Sequence, residues 1–140
     1  MSEPEIDIAV VGAHLSGMPL NHELTTRGGR LLRATETEAL YTLSALPGGP
    51  PKRPGLLRVG EGAGHAIAVE VWSLPAAGFG TFVAGIPAPL CIGTLRLADG
   101  STPKGFLVEP AGLIGATDVS SFGGWRAYIA SLSAAATTAA

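Results

Sequence analysis

The residues best placed for chemistry lie in one stretch, Val10-Val11-Gly12-Ala13-His14-Leu15-Ser16-Gly17-Met18-Pro19-Leu20-Asn21. An apolar run opens there into a loop with two glycines, which let successive backbone N–H groups turn toward one point and bind an anion. The amides of Gly12, Ala13, Leu15, Ser16 and Gly17, with Asn21 behind them, are therefore the candidate binding residues. His14 stands inside the loop, and an imidazole that titrates near neutrality can act as general acid or base. The plainer reading is a histidine that only hydrogen-bonds the loop closed.

Other reactive residue types are weaker. Ser16 lacks the Gly-x-Ser-x-Gly frame of a strained nucleophile turn. Cys91 sits among Pro89, Leu90 and Ile92, where burial is the default. His22 falls on a short polar helix and His65 at a turn, both suited to solvent. Lys104, at a strand start, and Arg126, in Phe-Gly-Gly-Trp-Arg-Ala-Tyr, are cations that could meet a small anionic substrate or simply be solvated. Glu70 shares a strand face with Trp72 and counts among the candidate substrate-binding residues. A buried carboxylate there would have a raised pKa and could carry a proton, unless it is merely salt-bridged. No His, Cys, Asp or Glu residues show ligand spacing, so neither a metal nor a cofactor is expected.

The elements that must position these residues are short. Ile6–Val11 reads as a buried first strand, and Asn21–Thr26 as a helix capped by Asn21 and ended by Gly28-Gly29. Arg30–Thr37 with Ala39–Leu46, and Leu56–Val59 with Ala66–Leu74, read as hairpins separated by the proline-rich excursion Leu46–Gly55. Pro75 suits the first turn of a helix carrying Phe79, Phe82, Val83 and Ile86, stopped by Pro87 and Pro89. Gly93–Ala98 and Lys104–Glu109 flank the turn dipeptide Asp99-Gly100. Ser121 can cap a last helix with the apolar face Phe122, Trp125, Tyr128, Ile129 and Leu132. The pattern predicts one α+β domain over residues 1–132, a small closed mixed β-barrel with two or three short helices. Residues 133–140 form a tail expected to fray.

Composition agrees with one domain. The chain has 140 residues, 46% hydrophobic and 14% charged, which excludes a disordered polar chain. A net charge of −2 without a basic run argues against nucleic acid as partner. Glycine and proline, 20 and 11 residues, exclude a coiled coil. A single cysteine allows no internal disulfide and fits a reducing compartment. The acidic start Met-Ser-Glu-Pro-Glu-Ile-Asp is not a secretory signal, and a cytoplasmic location is expected. Residues 71–95 carry no charge, but Pro75, Pro87, Pro89 and four glycines cut the stretch. A membrane helix needs about 20 continuous apolar residues, so a strand–helix–strand core is expected instead and no membrane partner.

The same segments resemble the C-terminal domain of allophanate hydrolase. The resemblance rests on the Val11–Asn21 stretch, Pro54-Gly55-Leu56-Leu57-Arg58-Val59, Val69-Glu70-Val71-Trp72-Ser73-Leu74-Pro75 and Ile86-Pro87-Ala88-Pro89-Leu90. Lys104-Gly105-Phe106 and Phe122-Gly123-Gly124-Trp125-Arg126-Ala127-Tyr128 complete it, in one order over residues 6–132. It implies a fold like that of gamma-glutamylcyclotransferases. It also implies a part in urea degradation: an amidase domain deaminates allophanate to N-carboxycarbamate, and this domain promotes breakdown of that product to ammonia and carbon dioxide. The histidine of the family's Gly-Ala-His loop, its candidate catalytic group, maps onto His14. The family's Ser-Ser-Lys amidase machinery is absent, so this chain alone is not expected to hydrolyse allophanate and a separate amidase is an expected partner. Cyclotransferases of this fold use a glutamate after the Val-Trp strand, yet no carboxylate lies between Glu70 and Asp99, which argues against that activity. The rival reading is a non-catalytic assembly module that attaches to an amidase, or forms a homodimer, through the uncharged stretch 71–95.

Overall fold

The computed structural model describes residues 3–139, with side chains described as far as Ala134. In chain order the elements are β1 (Glu5–Val10), α1 (His22–Thr25), β2 (Arg30–Glu36), β3 (Tyr41–Ala45), β4 (Pro54–Arg58) and β5 (Ala68–Pro75). Then come α2 (Ala76–Ala84), β6 (Leu90–Thr94), β7 (Lys104–Val108), β8 (Thr117–Asp118) and α3 (Trp125–Ala139). Single 3-10 turns at Pro110–Leu113 and Ser120–Phe122 precede β8 and α3.

β1 is the strand around which the rest is arranged. It pairs antiparallel with β5, setting Ala9 opposite Val71 and Val10 opposite Glu70. On its other side it pairs parallel with β7, Ala9 beside Gly105. Covered on both edges and both faces, its end must be apolar throughout, and Ile8, Ala9 and Val10 are fully buried. The loop that leaves Val10 therefore emerges with Glu70 on one flank and Phe106, next after Gly105, on the other.

The strands form two sheets, β2-β5-β1-β7-β6 and β4-β3-β8, and no closed barrel. A barrel requires the outer strands to pair with each other. Here β2 and β6 remain the two edges of the larger sheet. The chain leaves that sheet after Glu36: Thr37, fully buried, donates its N–H to Ile67 O and its hydroxyl to Glu38 O while accepting from Ile67 N–H, and β3 starts a second layer. This overturns both early hairpins. β2 pairs with β5 rather than with β3, and β4 pairs with β3 rather than with β5. The hairpin of β6 and β7 does form, with Thr94 opposite Lys104, although β6 begins earlier than Gly93.

Helix ends differ from the sequence reading as well. Asn21 has helical φ and ψ and makes no side-chain cap, since its amide turns to His14 O instead. Pro75 is the residue before α2, extended at ψ 146°, and Gly85 ends that helix. Gly123, at φ +76°, separates the Ser120–Phe122 turn from α3, so Ser121 does not cap the last helix and Phe122 is half exposed. Trp125 opens α3 and plugs it into the core at 2% exposure. Helical backbone continues through Ala139, into the stretch expected to fray, as alanine's high helix propensity permits. The uncharged stretch 71–95 folds as the end of β5, α2 and β6. Among the described residues no helix is long and apolar enough to cross a membrane.

The two sheets meet where β1 ends and β4 begins. A Cβ on Gly12 would lie 2.3 Å from both Cδ and Cγ of Pro54, a rigid ring beside a backbone that cannot yield. Gly12→Ala is expected to cost about 2 kcal/mol by overpacking, read as a lower urea midpoint. Gly17→Ala, with nothing within 4 Å but φ +78°, is expected to cost about 1 kcal/mol.

Candidate functional site

The loop 12–21 is held by three sets of hydrogen bonds. Leu15 N–H donates to Gly12 O and Met18 N–H to Leu15 O, while Leu20 N–H donates to Ala13 O. Asn21 Nδ2 donates to His14 O at 2.9 Å. The third set converges on Glu70, which accepts from Ser16 N–H (2.8 Å), Ser16 Oγ (2.7 Å), Trp72 Nε1 (3.1 Å) and Arg126 Nη2 (2.9 Å). Arg126 Nη2 also reaches Ser16 O at 2.6 Å. Burial pulls the Glu70 pKa upward, but these donors outweigh it and hold the carboxyl below its usual range. Of the two sequence readings of Glu70, the salt-bridged one fits this geometry: its pKa is lowered rather than raised, and its carboxylate clasps the loop.

His14 is buried, 7% exposed, between two phenylalanines. Its ring stacks on Phe106 at 5.1 Å and meets Phe82 edge-on at 5.0 Å. Nε2 lies 2.6 Å from Glu23 Oε1. With Glu23 ionised, the chemistry of the pair puts the proton on Nε2 and leaves Nδ1 as the nitrogen free to exchange one. The His14 pKa is lowered because burial disfavours the imidazolium, outweighing the pull of Glu23, and the nearby Arg53 charge adds to the lowering. At pH 7 the ring rests neutral.

Two small cavities touch the imidazole. One, about 20 Å³, is lined by Val11, Gly12, Ala13, His14, Arg53 and Phe106 among others. That is room for about one water. The other, about 60 Å³, lies against His14, Glu23, Arg27, Arg53, Phe82 and Phe106. None of the turn hydrogen bonds of the loop uses the amides of Gly12, Ala13 or His14, so these N–H groups stay available beside the first cavity. Among the described residues no group of three or more His, Cys, Asp or Glu converges as metal ligands would.

The structure divides the sequence candidates. His14, Gly12 and Ala13 line the first cavity. Leu15 is core, Ser16 is bound to Glu70, and Gly17 is an exposed turn residue, so the amide cluster is confined to the first part of the loop. Asn21 supports the loop from behind. Lys104 Nζ donates to Thr94 Oγ1 and lines neither cavity, and Arg126 belongs to the Glu70 clasp. The charged groups actually beside His14 are Glu23, Arg27 and Arg53, which sequence reasoning did not single out. Glu23 is nine residues from His14 across an irregular loop, a separation with no periodic signature. Arg53 did carry a signal: Lys52 and Arg53 are the only charges in the excursion Leu46–Gly55. His22 and His65 are exposed, and burial raises the Cys91 thiol pKa, with Glu109 adding to it.

Comparison with known proteins extends over almost this whole unit. Residues 6–130 match the allophanate hydrolase C-terminal domain. A urea amidolyase of Lachancea kluyveri is 42% identical over 130 residues, 91% of this chain but 7% of that protein. The chain thus spans less than a tenth of the length of the curated relatives it matches. Kluyveromyces lactis allophanate hydrolase superposes with a TM-score of 0.89 at 40% identity, over 92% of this chain and 22% of that one. A uropathogenic E. coli-specific protein superposes at 0.83 with 35% identity, and the match takes in 97% of that chain.

Two outcomes test this geometry. Glu70→Ala strands four donors, from three residues, around a buried position and is expected to destabilise the fold by about 3 kcal/mol, measured by urea unfolding. For His14 the native pKa lies below the ordinary 6.5, so the unfolded chain binds the proton more readily. Its contribution is therefore complete above pH 6.5 and is lost as pH falls through the lower native value. His14→Phe is expected to flatten that acid-side decline in thermal midpoint.

Proposed function

Because the chain belongs to the allophanate hydrolase C-terminal domain family, we propose that it promotes breakdown of N-carboxycarbamate, or a similar small carboxylated nitrogen compound, with His14 as the proton carrier. The observation that carries this reading is a buried, neutral imidazole, fixed through one nitrogen by Glu23 and bordered by cavities lined with unspent amides and cations.

The chemistry asks for a proton at nitrogen. N-carboxycarbamate has two carboxylates on one N–H, and its C–N bond breaks easily only after the nitrogen is protonated. A neutral His14 has no such proton to give at rest. A dianion settling beside Gly12, Ala13 and His14 favours the imidazolium, so the ring takes up a proton when substrate binds. Nδ1–H then delivers it to the central nitrogen, the C–N electron pair goes to nitrogen, and carbon dioxide and carbamate result. A second proton splits carbamate into ammonia and carbon dioxide, so two protons and one dianion give ammonia and two carbon dioxide molecules. Glu23 holds the tautomer throughout, as the buried carboxylate of a hydrolytic triad does. Proton delivery of this kind is worth about 10²–10⁴-fold in rate.

The rival reading, an assembly module docking through residues 71–95, has less support. Val71, Trp72, Leu74, Phe82 and Leu95 of that stretch lie in the core, so these side chains are not available to a partner.

The test is carbon dioxide release from N-carboxycarbamate generated in place by an allophanate amidase, with spontaneous decay as control. The wild-type chain is expected to exceed that control. His14→Ala and His14→Gln are expected to return release to it, and Glu23→Gln to cut it by about tenfold or more. Release by wild type no faster than the control would remove the reading.

A further inference from the structure

The two cavities beside His14 share lining residues with a third, of about 270 Å³, walled by the proline-rich segments 46–51 and 87–90. Leu90 lines the first and third cavities, Pro87 the second and third, and Arg53 all three. Arg53 is held in place by its backbone: its carbonyl accepts from Leu46 N–H at 3.0 Å, and the next residue, Pro54, starts β4.

The cations near the site differ in what occupies them. Arg27 donates to Glu23 O and Thr81 Oγ1 and stands over the Phe82 ring. Lys104 is bonded to Thr94, and Arg126 to Glu70 and Ser16. Arg53 is half-buried, and no hydrogen bond or ion pair within the described residues engages its guanidinium. Yet its charge is felt by His14. A guanidinium is a planar fork suited to bidentate contact with a carboxylate. Leaving one half-buried without a counter-charge is unfavourable unless an anion is to fill the place.

We propose that Arg53 is the carboxylate clamp of this site: it takes one carboxylate of a small dianion arriving through the proline-walled cavity, while the Gly12–His14 amides take the other. The site then selects two carboxylates on one central atom over a single carboxylate. This inference rests on the function proposed for His14, but adds a residue and a charge rule which that reading does not require.

Malonate, two carboxylates on one carbon, is the non-reacting probe, and acetate is its single-charge control. Binding is read from the His14 ring signals by NMR. Wild type is expected to bind malonate at least tenfold more tightly than acetate, with an upward shift of the His14 titration. Arg53→Gln is expected to weaken malonate at least tenfold while leaving acetate within about threefold, and Arg53→Lys to restore part of the loss. In the carbon dioxide assay Arg53→Gln is expected to raise KM more than it lowers kcat. A folded Arg53→Gln that binds malonate within twofold of wild type would overturn the clamp. If His14→Ala still abolished carbon dioxide release, the function proposed for His14 would stand without it. Wild type showing no preference for malonate over acetate would overturn the charge rule, whatever the variants do.

Discussion

Four donors on one carboxylate hold this molecule's working end in shape. Glu70 leaves the middle of β5 beside Val10 and closes on Ser16 from both its amide and its hydroxyl, with Trp72 and Arg126 completing the set. Ion pairs on open surfaces contribute little. This one is different because the acceptor is buried and its four donors come from three parts of the chain: two from Ser16 in the loop, one from Trp72 on the strand and one from Arg126 on α3. It converts a ten-residue loop into a fixed object. The position of His14 between two aromatic rings follows from that, since the ring can be buried only if the backbone on either side of it is immobile.

The same clasp explains why charge is divided as it is. Arg126 holds the loop through Nη2 and lies away from the cavities beside His14. Positive charge at the cavities comes instead from Arg53 and Arg27, on two segments far apart in sequence. His14 sits among these groups with burial and a neighbouring guanidinium disfavouring its protonation, and a carboxylate on Nε2 favouring it. A ring balanced in this way responds strongly to one added anion, because the local dielectric is low and neither partner can move away.

What could be read in the sequence was local. Ile6–Val11, the helix over Phe79 and Phe82, and the turn at Asp99-Gly100 each announce themselves within a dozen residues, and each is present with shifted ends. The Val11–Asn21 loop and His14 were legible for the same reason. Strand partners were not. β2 and β3 are consecutive, yet the chain crosses between sheets at Thr37, and nothing in Glu36-Thr37-Glu38 distinguishes a crossover from a hairpin until Ile67 is known to lie alongside. Glu70 was legible as a part-buried carboxylate, but the choice between a raised pKa and a salt bridge rests on Ser16 and Arg126, each more than fifty residues away. Glu23 and Arg53 reach His14 only through tertiary packing.

The proline walls carry a consequence for transit. Pro47, Pro50, Pro51, Pro87 and Pro89 line the outer cavity, and proline has no N–H to offer. Along that approach the backbone presents few donors on which a carboxylate could linger. On the function proposed for His14 and Arg53, a dianion entering there meets its first charge at the guanidinium, and the carbon dioxide released leaves past rings that offer it no hydrogen bond. Discrimination between anions would then fall to the one charged residue of that lining, Arg53.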